Sequence, residues 1–408
     1  MNGLFAGPVA DAEARRVQND RTRPTIPAVS DVVVVGAGVF GAWSAYHLAA
    51  AGASVTVVDA YGPGNSRSSS GDESRILRCG YGPDEIYSRF ARRSRDMWRD
   101  LDARNHSGFP LWHQCGVLWI APGGHPYAAD TLVTLRRGNY DAEVLDQTTA
   151  RSRYPHLVTD DAAVVLEPDG GVVMARRSVQ ALTAELTRTG VLLRRGRVRK
   201  PSMPGRVTAV ELADGTTLGA DIFVFACGAW LPAVFPELLG QRIRPTRQVV
   251  MYFGTAAGDV DFTSPHTPAW IDVAAGIYGV PDIENRGLKV GIDTHGVPFD
   301  PDRGDRTLDG ESVEQARAWL RRRVPSLADA PVLESRVCQY ENTSTGDFLI
   351  DRHPDHENVW IVGGGSGHGF KHGPAVGEYV TRLITTTMTP ESRFALHTKG
   401  TNARRAVY

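Results

Sequence analysis

Two stretches at opposite ends of the chain carry residue types suited to gripping one large nucleotide. The C-terminal stretch begins at Cys338-Gln339-Tyr340 and closes on Gly363-Gly364-Gly365-Ser366-Gly367-His368-Gly369-Phe370-Lys371. The N-terminal one is Gly36-Ala37-Gly38-Val39-Phe40-Gly41, set between the apolar run Val32–Val35 and a helix-like stretch from Ala42 to Ala51. Glycines at that spacing allow a tight turn, close approach of backbone to a pyrophosphate and close helix-to-strand packing, while the helix N-terminus faces the phosphate charge. A second strand, Ser54–Val58, ends at Asp59, an acid suited to accepting hydrogen bonds from a ribose. Strand, turn, helix, second strand and terminal acid fall in the order of a dinucleotide-binding unit. The competing reading, an ordinary βαβ unit, leaves the C-terminal glycine run without a task.

The elements that must position these residues follow from the spacing of apolar and turn-forming residues. A polar loop, Gly62–Asp72, leads to Ser74-Arg75-Ile76-Leu77-Arg78 and then a helix-like Ile86–Leu101. From about Pro110 to Pro168 the pattern is strands and turns with Trp112 and Trp119, as in an inserted domain. A helix over Ser178–Arg188 precedes a hairpin across Val207–Leu218, with Asp214-Gly215 as its turn. The buried-type strand Ile222–Ala226 stops at Cys227-Gly228-Ala229-Trp230, which reads equally as a further cofactor contact (Cys227, Gly228) and as a plain strand terminus. Strands recur from Ile243 to Val297, a helix spans Glu311–Arg323, and Phe348–Ile350, Val359–Val362 and a helix over Ala375–Thr385 return to the style of the first unit. The expected fold is α/β (α+β), a Rossmann-like dinucleotide-binding domain interleaved with a second domain that is mainly antiparallel β-sheet. The first would take residues 30–110, 165–235 and 340–390, and the second 111–164 and 236–339, with a flexible arm at 1–29 and a tail at 391–408.

Composition narrows the partners. With 408 residues and a formal net charge of −1, the chain has room for two domains and no bias toward a polyanion, so no nucleic acid is expected. Cys79, Cys115, Cys227 and Cys338 are widely spaced, which suggests neither a disulfide framework nor a metal site and fits a reducing cytoplasm. No apolar run approaches the roughly 20 residues that span a bilayer, so no membrane partner is expected. The first 29 residues carry Arg15, Arg16, Arg21 and Arg23 without the apolar core of a signal peptide.

The chain resembles the sarcosine oxidase-like flavoproteins of the D-amino-acid-oxidase group from about Asp31 to Thr386. The resemblance rests on GAGVFG, on SRILR after a serine-rich loop, on ACGAW, on GIYG followed by LKVG, and on CQY followed by SGHGFK. It implies FAD bound by the glycine turn (Gly36, Gly38, Val39, Phe40, Gly41), Asp59 and the Gly365, Gly367, His368, Gly369, Phe370, Lys371 run. It also implies a thioether from Cys338 to the flavin, a reaction that needs a thiolate near positive charge. Arg78 and Lys371 match the two cations that hold a substrate carboxylate. Arg75 is expected near the flavin ring, and Ser74 stands at a family threonine position. Lys289 matches the lysine over the reactive face, where a fixed cation stabilises the superoxide first formed from oxygen. Tyr278 and Tyr340 match residues lining the substrate cavity.

Two departures stand out. Asp293 occupies a family histidine position, with His295 two residues on, and the loop Ser68-Ser69-Ser70-Gly71 lacks the histidines common there. An aspartate can attract a cationic amine or accept its proton, so the pocket is expected to differ from one built for sarcosine. The expected chemistry is hydride transfer from the carbon next to the nitrogen of a secondary or cyclic, carboxylated amino acid to flavin N5. It yields an imine and, with molecular oxygen, hydrogen peroxide, in a monomer or small homo-oligomer. The alternatives are a biosynthetic flavin dehydrogenase or desaturase acting on a larger amine, and a noncatalytic flavin-binding subunit.

Overall fold

A computed structural model describes residues 31–201 and 204–401. The expected arm at 1–29 and the last part of the expected tail, 402–408, lie outside the described residues.

The first strand, β1 (Asp31–Val35), is buried along all but its first residue, as its four consecutive valines demand of a central parallel strand. The chain turns at Gly36, whose φ of +108° puts any Cβ about 2.3 Å from the Ala226 carbonyl oxygen, and enters helix α1 (Val39–Ala50). Gly41 lies so close beneath that turn that a Cβ would sit 1.9 Å from the Gly36 carbonyl oxygen. The chain then forms β2 (Ser54–Asp59), a short β3 (Ser74–Leu77) and helix α2 (Glu85–Ala103). Later segments add β4 (Ile222–Phe225), β5 (Ile243–Phe253), β6 (Leu288–Ile292), β7 (Val332–Thr343), β8 (Val359–Gly363) and helix α3 (Gly373–Thr385).

Two large sheets divide the labour. A six-stranded sheet runs in the order Leu349–Arg352, β8, β4, β1, β2, Leu192–Arg195, parallel except for its antiparallel first strand. An eight-stranded sheet runs β7, β5, β6, Ile277–Val280, Ala269–Asp272, Val117–Pro122, Ala162–Glu167, Glu143–Leu145, and only the pairing of Ala269–Asp272 with Val117–Pro122 is parallel. The expected hairpin forms from Ala209–Glu211 and Thr217–Gly219 around Asp214-Gly215.

Two expected domain limits fall inside strands. Ala162–Glu167 continues past 164 and β7 continues past 339, because ladder hydrogen bonds carry each strand on to the next turn. Nor is the start of the expected tail loose. Phe394 is fully buried, Arg393 pairs with Asp84 and Asp347, and the Leu396 N–H donates to Asp351 at 2.8 Å.

Helices α1 and α3 cross at a glycine-lined contact that holds the two cofactor motifs together. A Cβ at Gly377 would lie 2.4 Å from the Trp43 carbonyl carbon, and one at Gly373 would lie 2.4 Å from a Val39 methyl. Replacing Gly377 by valine should cost about 1–3 kcal/mol through overpacking. The thermal midpoint should fall by several degrees; an unchanged midpoint would contradict the crossing.

Candidate active site

A cavity of about 520 Å³ is lined by residues of both large sheets. The glycine turn contributes Val35, Gly36, Gly38, Val39 and Phe40, and the end of β2 contributes Asp59. Ser68–Ser70 and the turn after β4, with Cys227 and Gly228, line it as well. Arg75, Cys338–Glu341 of β7 and Gly365, Gly367, Gly369 and Phe370 are also part of its lining. The serine loop caps α1 from a distance, Ser70 Oγ accepting the Val39 N–H at 3.1 Å. The Asp59 carboxylate accepts from Ala37 N–H at 2.8 Å and from the N–H groups of Tyr61 and Gly62, which ties the glycine turn to β2.

These residues fit a dinucleotide. Gly36 and Gly38 remove side chains where backbone must meet a phosphate, and Gly228, with φ +54° and nothing within 4 Å of a built Cβ, leaves a second open stretch. Gly41 lines neither cavity and acts through packing.

A smaller recess of about 70 Å³ shares Arg75, Cys338, Tyr340, Gly367 and Phe370 with the large cavity and adds Arg78, Tyr278, Asp293, His368 and Lys371. Strand pleating explains the division: on β7 Cys338 and Tyr340 line both spaces, whereas Gln339 and Glu341 line only the larger. The Arg78 guanidinium lies over the rings of Tyr81 (4.2 Å) and Trp119 (4.7 Å) and donates to the Gly80 carbonyl. Lys371 Nζ donates to Tyr81 Oη at 2.9 Å and to the His368 carbonyl at 3.1 Å. Burial pulls the Lys371 ammonium well below its ordinary pKa, Arg78 adds to this and Asp293 opposes it. Asp293 accepts the Tyr340 hydroxyl at 2.7 Å. Burial raises the Tyr278 phenol. His368 turns its ring away from the large cavity, to the Gly346 carbonyl at 3.0 Å and Tyr81 Oη at 3.3 Å, and His295 is exposed.

Lys289, expected over the reactive face, is buried beside Arg75. It lines neither cavity. Its Nζ donates to Asp72 Oδ2 at 2.6 Å, to the Ser74 carbonyl at 2.9 Å and to Ser74 Oγ at 3.2 Å, all buried. Arg75, which does line both spaces, pairs with the same carboxylate oxygen. Burial alone would raise Asp72, but Lys289 and Arg75 hold it at about 2. Burial lowers Lys289 and Asp72 opposes the shift. Ser74 thus supports Lys289 and does not line the cofactor cavity.

The family model for FAD dependent oxidoreductases matches residues 31–383. The chain belongs to this family. It is 31% identical over 370 residues to monomeric sarcosine oxidase of Bacillus sp. (strain B-0618), covering 88% of this chain and 93% of the relative. It is 27% identical to N-methyl-L-tryptophan oxidase of Salmonella heidelberg (strain SL476), covering 85% and 92%. The structure of L-proline dehydrogenase from P. horikoshii superposes with a TM-score of 0.79 at 22% identity, covering 91% of this chain and 98% of that one.

Several groups of this FAD-dependent oxidoreductase escaped the sequence reading. Asp72 sits in a polar run, GDES, that reads as a surface turn; only its spacing of three from Arg75 hinted at a partner. Glu167 accepts from Cys79 N–H, Gly80 N–H and Trp119 Nε1 and so fixes the turn after Arg78. Tyr81 bridges Lys371 and His372. Removing the carboxylate with Asp72→Asn leaves Lys289 and Arg75 buried without it and should cost about 3–5 kcal/mol. The double variant Asp72→Asn/Lys289→Met should recover a large part; purely additive losses would contradict the pairing. Because the Asp72 pKa is depressed in the folded state, its contribution is fully present above the ordinary aspartate value of 3.8 and is lost as pH falls toward about 2.

Proposed function

We propose that this FAD-dependent oxidoreductase oxidises a secondary or cyclic amino acid at its C–N bond, holding the substrate carboxylate between Arg78 and Lys371. One observation carries the reading. Two buried cationic side chains line a recess that shares a wall with the cofactor cavity. Taking like charges out of water together is costly unless anions join them; Asp293, in the same recess, is one, and a bound anion is the second. A carboxylate supplies that charge, and the planar guanidinium orients it. The named activities of the sarcosine and N-methyl-L-tryptophan oxidases support the same substrate class.

The protein's own contribution follows from the recess. Arg78 and Lys371 bind and orient the carboxylate, which puts the nitrogen and its neighbouring carbon toward the shared wall of Arg75, Cys338 and Tyr340. Their positive charge favours the neutral amine, and the Asp293 carboxylate, held by Tyr340 Oη, accepts the amine proton. Burial of the recess excludes water from the reacting carbon. When bound, FAD supplies the acceptor for the hydride from that carbon and passes the electrons on to oxygen as hydrogen peroxide. The substrate leaves as an imine and is hydrolysed or rearranges in solvent.

Cys338 is the residue we assign to covalent attachment of FAD. Cys338 is buried and lines both spaces, and its Sγ accepts from Arg75 Nη2 at 3.4 Å. With Cys338→Ala, acid precipitation should leave all flavin in the supernatant, whereas the parent pellet should stay yellow. A yellow variant pellet would overturn the assignment.

A cytoplasmic location is supported by four free cysteines, and no helix among the described residues is long and apolar enough to cross a membrane. A second reading, a dehydrogenase passing electrons to another acceptor, is favoured by Lys289 being paired with Asp72 and lining neither cavity.

The function is tested by anaerobic bleaching of the flavin with N-methyl amino acids, cyclic imino acids and their decarboxylated analogues, followed by air. Bleaching by the carboxylated amines alone, with fast recovery and peroxide, is the expected result. Bleaching with slow recovery would favour the dehydrogenase, and bleaching by the decarboxylated analogues equally well would sink the carboxylate clamp. Arg78→Gln should raise KM for carboxylated substrates by roughly 10- to 100-fold, the worth of a charge-assisted hydrogen bond.

A further inference from the structure

Only two carboxylates line the large cavity, Asp59 and Glu341. They are equipped differently. Both oxygens of Asp59 already accept from backbone N–H groups of the glycine turn and the end of β2. Glu341, nine-tenths buried on β7, accepts from Gly365 N–H at 3.2 Å through Oε1, and its Oε2 is buried with no hydrogen-bond partner among the described residues. The space it occupies exists because its neighbours are glycines. A Cβ on Gly363 would lie 3.1 Å from Oε2, and one on Gly365 would lie 3.2 Å from Oε1. A buried acid on the wall of a cavity, with one oxygen unpartnered, is poorly placed to carry a negative charge of its own.

We propose that Glu341 is a cofactor-binding group that acts as a neutral acid, turning its carboxyl O–H to an oxygen of FAD, so that binding of FAD is linked to uptake of one proton from solvent. The inference rests on the family's cofactor alone and not on the substrate reading. Electrostatics requires the neutral form, since FAD brings a doubly negative diphosphate into the same cavity and an ionised Glu341 would repel it. Burial already pushes the carboxyl up to about 7, against the lowering effect of the Gly365 and Gly364 N–H groups. The cations that line the same cavity, Arg75, Arg197, Arg199 and Lys200, are not among the groups that act on this carboxyl. Across the cavity wall the titratable neighbour is the Cys227 thiol, itself raised by burial and then by Asp59 and Glu341. On the same strand Tyr340 points to the other face, where it meets Asp293, and on β5 the residue in register is Pro245. The glycine run 363–365 and the apolar Leu231 carry no charge.

The sign of the effect follows. Below about 7 the proton is already present and affinity is independent of pH; above it, each unit should weaken FAD binding up to tenfold. The test uses the full chain carrying Cys338→Ala, in which FAD exchanges whether or not Cys338 forms a thioether, so that the two assignments fail separately. Apoprotein is titrated with FAD by fluorescence quenching from pH 6 to pH 8.5, and by calorimetry at pH 8 in two buffers of different ionisation enthalpy. The expected result is a Kd that rises roughly tenfold or more across that range with net proton uptake, both abolished by Glu341→Gln, which keeps a donor and cannot ionise. A flat profile in the parent, or the same slope in Glu341→Gln, would overturn the proposal. A readout independent of cofactor is the thermal stability of the apoprotein. A carboxyl raised in the folded state makes stability fall as pH rises from 4.5 to about 7, and Glu341→Gln should remove that fall. Persistence of the fall in the variant would count against the proposal.

Discussion

Burial of charge is the constraint on which this molecule turns. Arg78, Lys289 and Lys371 are each almost wholly withdrawn from water, and each is tolerated by a different device. Lys289 shares the Asp72 carboxylate with Arg75. Arg78 lies against the faces of two aromatic rings and a carbonyl. Lys371 has only neutral oxygens, Tyr81 Oη and the His368 carbonyl, as its hydrogen-bond acceptors. Neutral partners satisfy an ammonium's geometry without balancing its charge, so the three sites are unequally settled. The cation paired with a carboxylate at hydrogen-bond distance, Lys289, lines no cavity, whereas Lys371, with neutral acceptors among the described residues, does.

Positioning these charges needs both sheets at once. Strand β7 leaves the edge of the eight-stranded sheet carrying Cys338 and Tyr340 toward the recess and Glu341 toward the glycine run after β8. The Ser366 N–H donates to the Glu341 carbonyl and the Thr343 N–H to Ser366 Oγ, which stitches the catalytic sheet to the nucleotide sheet. Helix α2 completes the joint: Trp98 Nε1 donates to the Lys371 carbonyl at 3.0 Å while its ring stacks on Phe370. A shift of β7 by one residue would exchange the faces and carry Cys338 away from Arg75.

The nucleotide half was legible in the sequence because its determinants are local. Gly36, Gly38 and Gly41 act within one turn of backbone, and the strand, turn and helix around them are set by the runs that flank them. The substrate half was legible only as residue types. Arg78, Asp293 and Lys371 do meet in one recess, yet nothing in their local sequence says that Lys371 lacks a carboxylate of its own or that Tyr340 holds Asp293. The ion pair of Lys289 was illegible for the same reason. Its partner Asp72 is 217 residues away, and the polar context that makes GDES look like a solvated turn is what the fold overrides by burying it. Glu341 was invisible because its environment consists of absent side chains, at Gly363 and Gly365, whose juxtaposition depends on the pairing of two sheets.

The unequal treatment of the cations bears on how the site responds to its ligand. An ammonium whose pKa is lowered by burial and by a neighbouring guanidinium gains a proton-binding advantage when an anion arrives, so carboxylate binding and full protonation of Lys371 are two aspects of one event. Asp293, across the recess, stabilises the same proton but is itself drawn on by Tyr340. In the proposed clamp a zwitterionic substrate enters with its carboxylate satisfying the cations and its amine facing the acid, and each half of that exchange supports the other. A cationic amine without a carboxylate would meet the positive field of the clamp with only Asp293 to offset it. Selectivity for amino acids over simple amines then follows from desolvated charge rather than from the shape of the recess.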